Sequence, residues 1–319
     1  MPDALLKVVV QKREMHTDSI VVLELVDPQG KSLPAFEAGA HIDLHLGDEL
    51  IRQYSLCGDP ADTSVYRLGI LKDPDSRGGS IAAHTKLLEG TELMISQPRN
   101  LFPLVPEAKR SILIGGGIGI TPMISMAHEL HHAGGDFDLW YCGRSAQTSG
   151  FLDELKNSAF VEQVYTHFTS EHNGQRLDLA KVFQGANDSV HVYVCGPNGF
   201  MEWVIEAAKK QGFADTNIHR EFFNVELETG GDSFEVYAEQ SDVTVTVGEN
   251  ESIADALKAA GVKVQVACEQ GTCGTCLCDV SEGIPDHRDV YLTDDEKEDN
   301  DQITLCCSRS LSPRLVIDI

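Results

Sequence analysis

The sequence predicts a multidomain protein in which an antiparallel β-barrel is followed by a parallel α/β sheet and then by a C-terminal α+β domain. Three observations lead to this fold class. The first hundred residues alternate apolar and polar positions between frequent turns, which is typical of short antiparallel strands. From about residue 110, strand and helix patterns alternate, which favours a parallel sheet. After residue 233, four cysteines stand at a C-x4-C-x2-C…C spacing.

The first predicted domain spans residues 1–105. Apolar alternation predicts strands at 20–25, 40–46 and 66–71. The sequence Pro28-Gln29-Gly30 and the pair Asp59-Pro60 predict turns between them. We therefore expect a β-barrel or sandwich here.

The second predicted domain spans residues 106–225. A buried strand at 111–114 runs into a glycine-rich turn, and a helix is expected from Thr121, as its N-cap, to about His132. Pro122 suits the first helical position. Further strands are expected at 137–142, 164–168 and 190–195, so the segment predicts a parallel sheet with helices between its strands.

A polar stretch at 226–232 predicts a linker, and residues 233–319 form the third predicted domain, with a helix at 252–260. Its four spaced cysteines are Cys268, Cys273, Cys276 and Cys306. This is the plant-type ligand pattern for a [2Fe–2S] cluster. Gly271 and Gly274 let the backbone curl around a cluster where a Cβ would clash. Two disulfides or a zinc site are the alternatives, but zinc sites usually contain two separated C-x2-C pairs.

The chain has 319 residues and no apolar run of ~18 residues, so no transmembrane helix is expected. Without a secretory signal pattern we expect a reducing cytoplasm, where the other cysteines remain thiols. These are Cys57, Cys142, Cys195, Cys278 and Cys307.

The net charge is −25, which disfavours nucleic acid and anionic membranes as partners. About half of it lies in residues 233–319, which contain 18 acidic and 6 basic side chains. The segment 294–301 (DDEKEDND) is either a solvated loop or a docking face for a basic partner.

Several motifs together resemble the phthalate dioxygenase reductase family, the reductase components of multicomponent Rieske oxygenases. Besides the cysteines they are 52–56 (RQYSL), 78–80 (GGS), 115–122 (GGGIGITP), 195–197 (CGP), 286–289 (DHRD) and 308–309 (SR). The resemblance covers essentially the whole chain. It implies that the C-terminal domain is a plant-type ferredoxin of β-grasp fold, with Cys306 rather than its neighbour Cys307 as the fourth ligand.

The resemblance also implies a flavin site. Its expected members are Arg52, Tyr54, Ser55, Gly78, Gly79, Ser80, Thr121 and Phe223, with Phe222 as the alternative to Phe223. An arginine fork and a glycine-rich turn suit a phosphate. Relatives that use FAD usually have Ser or Thr where this chain has Gly58, so FMN is expected and FAD remains the alternative.

An NADH site is implied at the glycine-rich turn and the CGP motif. The expected contacts are Gly116, Gly117, Arg144, Cys195, Gly196 and Pro197. The turn is not a G-x-G-x-x-G motif, because Ile120 occupies the third glycine position. Its place between a strand and a helix nevertheless suits a diphosphate. Arg144 is either a ribose contact or a surface charge, and it leaves NADPH open.

The resemblance implies electron transfer from NADH through FMN and the [2Fe–2S] cluster to a Rieske oxygenase, with no amino acid as acid or base. A monomer is expected. Two alternatives are a stand-alone flavin-dependent reductase of small molecules and a ferredoxin-type carrier whose other domains are inactive.

Two further motifs carry no function. His128 to His132 (HELHH) matches the H-E-x-x-H signature of zinc proteases, but a catalytic zinc site also needs a third ligand and a cleft, and this helix already follows the nucleotide turn. His287-Arg288-Asp289 matches a kinase catalytic loop without the other kinase motifs.

Overall fold

The computed structural model describes residues 5–47, 50–74, 78–223 and 230–319. The chain divides into two compact units, Met1–Phe223 and Asn224–Ile319. Most of the predicted linker 226–232 lies outside the described residues. No helix of the described residues is long and apolar enough to cross a membrane.

The first unit begins with a seven-stranded antiparallel sheet of order β4-β3-β6-β1-β2-β5, with β7 paired to β3. An isolated bridge from Leu56 to Leu68 joins the end of β4 to β5, so the sheet curls into the predicted barrel. The elements are β1 (Leu6–Met15), β2 (Ile20–Val26), β3 (Ala40–His45), β4 (Ile51–Ser55), β5 (Tyr66–Leu71), α1 (Gly79–Lys86), β6 (Glu92–Ile95) and β7 (Arg99–Asn100). Its core is aliphatic, as in Val8, Leu23 and Ile42.

The same unit continues with a five-stranded parallel sheet of order β10-β9-β8-β11-β12. The elements are β8 (Arg110–Gly116), α2 (Ile120–His132), β9 (Asp136–Gly143), α3 (Leu152–Lys156), β10 (Val164–Phe168), α4 (Leu179–Val182), β11 (Val190–Cys195), α5 (Asn198–Lys210) and β12 (Ile218–Glu221). Both faces are covered, by one cluster that includes α2 and by another that includes α5. Buried parallel strands of this kind read as continuous apolar runs.

The start of α2 differs from its predicted position. A single 3-10 turn, Gly117–Gly119, precedes the helix, which begins at Ile120 with Gly119 as its N-cap. Thr121 is therefore inside the helix, and its hydroxyl donates to the carbonyl of Ile118 over 3.0 Å. The prediction of Thr121 as N-cap was wrong because the glycine turn winds tightly enough to start the helix earlier.

The second unit is a mixed five-stranded sheet of order β14-β13-β19-β15-β17 with a separate β16-β18 ribbon. Its elements are β13 (Phe234–Ala238), β14 (Val243–Val247), α6 (Ile253–Ala259), β15 (Leu277–Glu282), β16 (Pro285–Asp286), α7 (Asp294–Asp299), β17 (Gln302–Thr304), β18 (Arg309–Ser310) and β19 (Arg314–Ile317). The predicted helix at 252–260 is α6, and the Ser252 side chain caps it by accepting from Asp255 N. Ile253 and Leu257 of α6 are buried in the core of the sheet.

Candidate functional site

The four spaced cysteines lie together in the second unit. All are buried, with exposed fractions between 5 and 9%. The Cys268 side chain is within hydrogen-bond reach of Cys273 and Cys306, and Cys276 is within reach of Cys306. The neighbouring thiols lower the pKa of Cys268, which favours the thiolate form that binds metal. Four buried thiols connected by these contacts fit a cluster of two irons and two sulfides.

The loop that carries three of these cysteines needs its glycines. Gly271 and Gly274 have φ values of +67° and +68°, which L side chains rarely adopt. A Cβ on Gly271 would lie 2.8 Å from Asp289 Cα, and one on Gly274 would overlap the Tyr291 ring. In the same loop, the backbone N–H groups of Gln270 and Thr272 donate to Cys268 Sγ over 3.3 and 3.4 Å. Such donors stabilise negative charge on the sulfur.

The two spare thiols of this unit have other surroundings. Cys307 Sγ lies 3.2 Å from the Thr304 hydroxyl and packs against Gly271. The Cys278 thiol donates to the Asp318 carbonyl over 3.7 Å. Cys307 is also in contact with Cys306, but it is Cys306 that contacts both Cys268 and Cys276. These contacts favour Cys306 over either neighbour as the fourth ligand.

In the first unit the predicted nucleotide residues meet at the carboxyl edge of the parallel sheet. β8 and β11 are adjacent, with Gly115 opposite Cys195, so the glycine-rich turn and the CGP motif leave the sheet side by side. A Cβ on Gly119 would overlap the Cys195 carbonyl. Gly117 has a φ of +58°. The two loops therefore approach each other through backbone alone, as an extended diphosphate requires.

The Phe200 ring fills the space that side chains would take on these loops. A Cβ on Gly116 would be 2.7 Å from this ring, and a Cβ on Gly196 would be 2.9 Å from it. Pro197, the last residue of the CGP motif, occupies the N-cap position of α5. Cys195 itself is fully buried, and burial raises the pKa of its thiol. It therefore remains a neutral thiol beside the sheet edge.

Arg144 follows β9, the strand on the other side of β8. Its side chain is exposed, and its carbonyl accepts from Ser170 N over 2.9 Å. Within the described ranges, its guanidinium has neither a hydrogen bond nor an ion pair. It is accessible to a ligand at this edge of the sheet.

The predicted phosphate residues of the flavin site also meet. The Arg52 side chain of β4 lies against the start of α1, where a Cβ on Gly79 would overlap Arg52 Cγ. Gly78, with a φ of +91°, precedes the first turn of this helix, and Ser80 Oγ accepts from Asp73 N over 3.1 Å. A guanidinium beside a helix N-terminus is a suitable place for a phosphate.

The remaining predicted flavin residues are less closely grouped. Tyr54 is partly buried, and this burial raises the pKa of its hydroxyl to about 12. Thr121 is buried next to Gly69 of β5. Phe223 is 38% exposed, whereas the Phe222 ring lies under the Arg220 guanidinium at 5.3 Å. Phe223 is thus the more available of the two rings.

Glu221 belongs to this site, although the sequence analysis gave it no role. It ends β12 opposite Cys195 and accepts a hydrogen bond from Ser55 Oγ over 3.1 Å, across 166 residues of sequence. Burial raises the pKa of Glu221 to about 8, although the bond from Ser55 opposes the shift. The available signal was a carboxylate at the end of a strand, at the same sheet edge as the CGP motif.

The H-E-x-x-H helix does not form a protease site. Glu129, which would be the general base, accepts a hydrogen bond from Ala38 N over 2.9 Å. His128 and His132 face Asp59, with Nδ1–Oδ distances of 3.8 and 3.5 Å. In the part of the chain that the structure describes, neither histidine belongs to a group of three His, Cys, Asp or Glu side chains that could hold a single ion.

Two family profiles match the sequence. The oxidoreductase NAD-binding domain matches residues 113–206, and the 2Fe-2S iron-sulfur cluster binding domain matches residues 236–311. The first match includes the glycine-rich turn and the CGP motif, and the second includes all four spaced cysteines.

Among known proteins, the chain is similar to the vanillate O-demethylase oxidoreductase of Pseudomonas sp. (strain HR199 / DSM 7063), with 46% identity over 99% of this chain and 100% of that protein. It is also similar to the solved structure of phthalate dioxygenase reductase, with 36% identity and a TM-score of 0.78 over 99% of this chain and 98% of that one. An intact type IV self-sufficient cytochrome P450 monooxygenase matches with 38% identity and a TM-score of 0.85. That match covers 99% of this chain and 41% of the P450 chain.

Proposed function

The chain belongs to the phthalate dioxygenase reductase family, and we propose that the oxygenase it serves contains a Rieske centre. Family membership makes it the reductase component of a multicomponent oxygenase, an oxidoreductase that takes electrons from NADH and passes them through FMN and a [2Fe–2S] cluster to an oxygenase. FMN, when bound, accepts electrons in pairs from NADH and releases them singly, as a one-electron cluster requires.

We assign the cluster to Cys268, Cys273, Cys276 and Cys306. The burial and mutual contact of these thiols support the assignment, because a buried sulfur cluster excludes water and competing ligands. The N–H groups directed at Cys268 stabilise the negative charge of a ligand sulfur. The role of the protein here is to fix four soft ligands and to set the electrostatics around them.

The flavin phosphate is assigned to Arg52, Gly78, Gly79 and Ser80, and the ring to Tyr54, Ser55, Thr121 and Phe223. The Ser55 hydroxyl donates a hydrogen bond to Glu221, so the lone pairs of its oxygen are free to accept from a bound ring. Glu221 thereby orients the serine. Burial keeps this carboxyl neutral at pH 7, which avoids a negative charge beside the ring.

For NADH, the two backbone loops with Gly116, Gly117, Gly196 and Pro197 suit the diphosphate and nicotinamide, and Arg144 suits the ribose. Cys195 stands at the end of the sheet next to Glu221, so the nicotinamide and the flavin ring would meet at this corner. No side chain need transfer a proton during the electron step. The chain orients the two rings and excludes water between them.

The assignment of the electron route can be tested with Cys276→Ser. Because the two sites lie in separate units, this variant should lose the cluster and transfer to the oxygenase, yet keep NADH-dependent flavin reduction. Cys278→Ser is the matched control and should keep both steps. Stopped-flow spectra separate flavin reduction from oxygenase reduction. Normal oxygenase reduction by cluster-free Cys276→Ser would place the cluster outside the route.

A cytochrome P450 is the second candidate acceptor. Almost the full length of this chain matches one part of a self-sufficient P450. Anaerobic mixing of the NADH-reduced protein with a Rieske oxygenase and with a P450 distinguishes them by rate. Faster reduction of the haem protein would replace the Rieske proposal. We also propose that the protein works in a reducing cytoplasm, which is supported by nine cysteines without a disulfide bond. A monomeric state is part of the same proposal.

A further inference from the structure

His287 is a buried imidazole that no step described above uses. It directly follows β16, which pairs with β18 close to the fourth ligand Cys306. Its side chain is 9% exposed, and both ring nitrogens are buried without a hydrogen-bond partner among the described residues. A buried polar group without a partner costs free energy, and a redox or catalytic role is one of the reasons that native proteins retain such a group.

The charged group nearest to this ring is the Asp289 carboxylate. Its Oδ1 lies 3.8 Å from His287 Nδ1, and this carboxylate has no exposed surface. Three neutral donors satisfy it: Ser308 Oγ at 3.3 Å, Tyr291 N at 3.1 Å and Leu292 N at 2.8 Å. Neutral donors leave the charge of a buried carboxylate uncompensated, so a nearby cation would stabilise it.

The other cations around this segment have partners other than the Asp289 carboxylate. Arg288 pairs with Asp286 over 2.6 Å, and Lys297 Nζ donates to the backbone carbonyl of Asp289 over 2.7 Å. Arg309 donates to the backbone carbonyls of Glu251, Asp232 and Gly248. Among the described residues, the His287 ring lies 3.8 Å from the Asp289 carboxylate and is therefore a candidate counter-ion.

The segment that carries the His287–Asp289 pair packs directly against the cluster loop. Val290 N donates to the Gly271 carbonyl over 3.0 Å, and the Asp289 backbone occupies the space that a Cβ on Gly271 would need. Gly271 lies between the ligands Cys268 and Cys273. The pair and the ligand cysteines are all buried, so a charge added to the cluster is screened only weakly from the pair.

We propose that His287 balances the charge of the electron on the cluster. It takes up one proton from solvent when the cluster accepts one electron from the flavin. The proton resides on the imidazole beside the Asp289 carboxylate and returns to solvent when the electron passes to the oxygenase. The added negative charge is thereby balanced inside the unit. This inference rests on the cluster assignment proposed above, with Cys268 and Cys273 as ligands.

The test is the midpoint potential of the cluster in the holoprotein, followed by electron paramagnetic resonance between pH 5.5 and 8.5. In the wild type the potential should fall as the pH rises, because the reduced cluster holds the proton more tightly. His287→Gln, which keeps a polar side chain without a titrating ring, should give a flat profile. A flat wild-type profile overturns the proposal without the need for any variant.

Two carboxylate variants complete the experiment. Asp289→Asn should move the pH-dependent range to lower pH, because the protonated ring loses its counter-ion. Asp286→Asn, which alters the partner of Arg288, is the matched control and should retain the wild-type profile. A pH dependence that survives in His287→Gln also overturns the proposal. Iron and sulfide content is measured in each sample, which distinguishes loss of the cluster from a changed potential. Loss of the cluster would contradict the ligand assignment itself.

Discussion

The cluster loop and the nucleotide edge hold their cofactors in different ways. Three of the four proposed cluster ligands lie within nine residues of sequence, on a loop with two left-handed glycines. The nucleotide edge instead joins the ends of β8, β9, β11 and β12 and uses mostly backbone, with Ser55 and Glu221 meeting across 166 residues. A local site depends on a few side chains that cannot be replaced, whereas an assembled edge depends on the packing of whole strands. The four predictions below test this difference, from the largest expected effect to the smallest.

The largest effect is expected at the fourth cluster ligand. Cys306→Ser should abolish the cluster, because a serine hydroxyl does not replace the thiolate that contacts Cys268 and Cys276. Cys307→Ser should keep it, since Cys307 contacts Cys306, Thr304 and Ser308 but is not hydrogen-bonded to Cys268 or Cys276. Iron content and the visible spectrum measure both. A normal iron content in Cys306→Ser would move the ligand to Cys307.

A backbone substitution should damage the nucleotide edge. Gly119→Ala places a methyl group on the Cys195 carbonyl, and the overpacking should cost roughly 2–3 kcal/mol of unfolding free energy and weaken NADH binding. Gly117→Ala is the matched control. It has no atom within 4 Å of the new methyl group but a φ of +58°, so it should cost only about 1–2 kcal/mol.

Denaturant unfolding and the KM for NADH measure both glycine variants. Equal losses would mean that backbone conformation, rather than the contact between the two loops, controls this edge.

The third prediction concerns pH. Because the pKa of folded Glu221 is raised from an ordinary 4.5 to about 8, the folded protein keeps a proton that the unfolded chain loses within this window. The contribution of Glu221 to stability should therefore decline as the pH rises from 4.5 to 8. Glu221→Gln should lack this decline, which urea unfolding of the FMN-loaded protein at pH 5 and pH 8 can measure. If the unfolding free energy changed equally between pH 5 and pH 8 in the wild type and in Glu221→Gln, a buried neutral carboxyl at this position would be excluded.

The smallest effect is expected at α7, the acidic helix Asp294–Asp299, which is exposed along its length. If α7 helps to dock a basic oxygenase face, replacing Asp294, Asp295, Glu298 and Asp299 by Asn or Gln should slow transfer to the oxygenase at low salt and flatten its salt dependence. The capping box between Thr293 and Glu296 is kept in this variant. Flavin reduction by NADH serves as the internal control. Equal transfer rates at low ionic strength would make α7 a solvated face.

Much of the fold followed from local patterns. The predicted strands at 20–25, 40–46 and 66–71 correspond to β2, β3 and β5, and the alternation after residue 110 corresponds to the parallel sheet. These predictions succeeded because apolar periodicity reflects which face of an element is buried. The start of α2 was misplaced because the backbone of a glycine-rich turn is not restricted by side chains, so the sequence does not show where helical geometry begins.

By itself, the sequence determined the cluster ligands that we propose and the order of the domains, because cysteine spacing and strand periodicity are local properties of the chain. Only the tertiary structure brought Glu221 to Ser55 and Cys195, and only the tertiary structure buried His287 beside Asp289. Neither carboxylate nor imidazole is unusual in sequence. What distinguishes them is loss of water and the choice of neighbours, and both are decided when distant strands pack together.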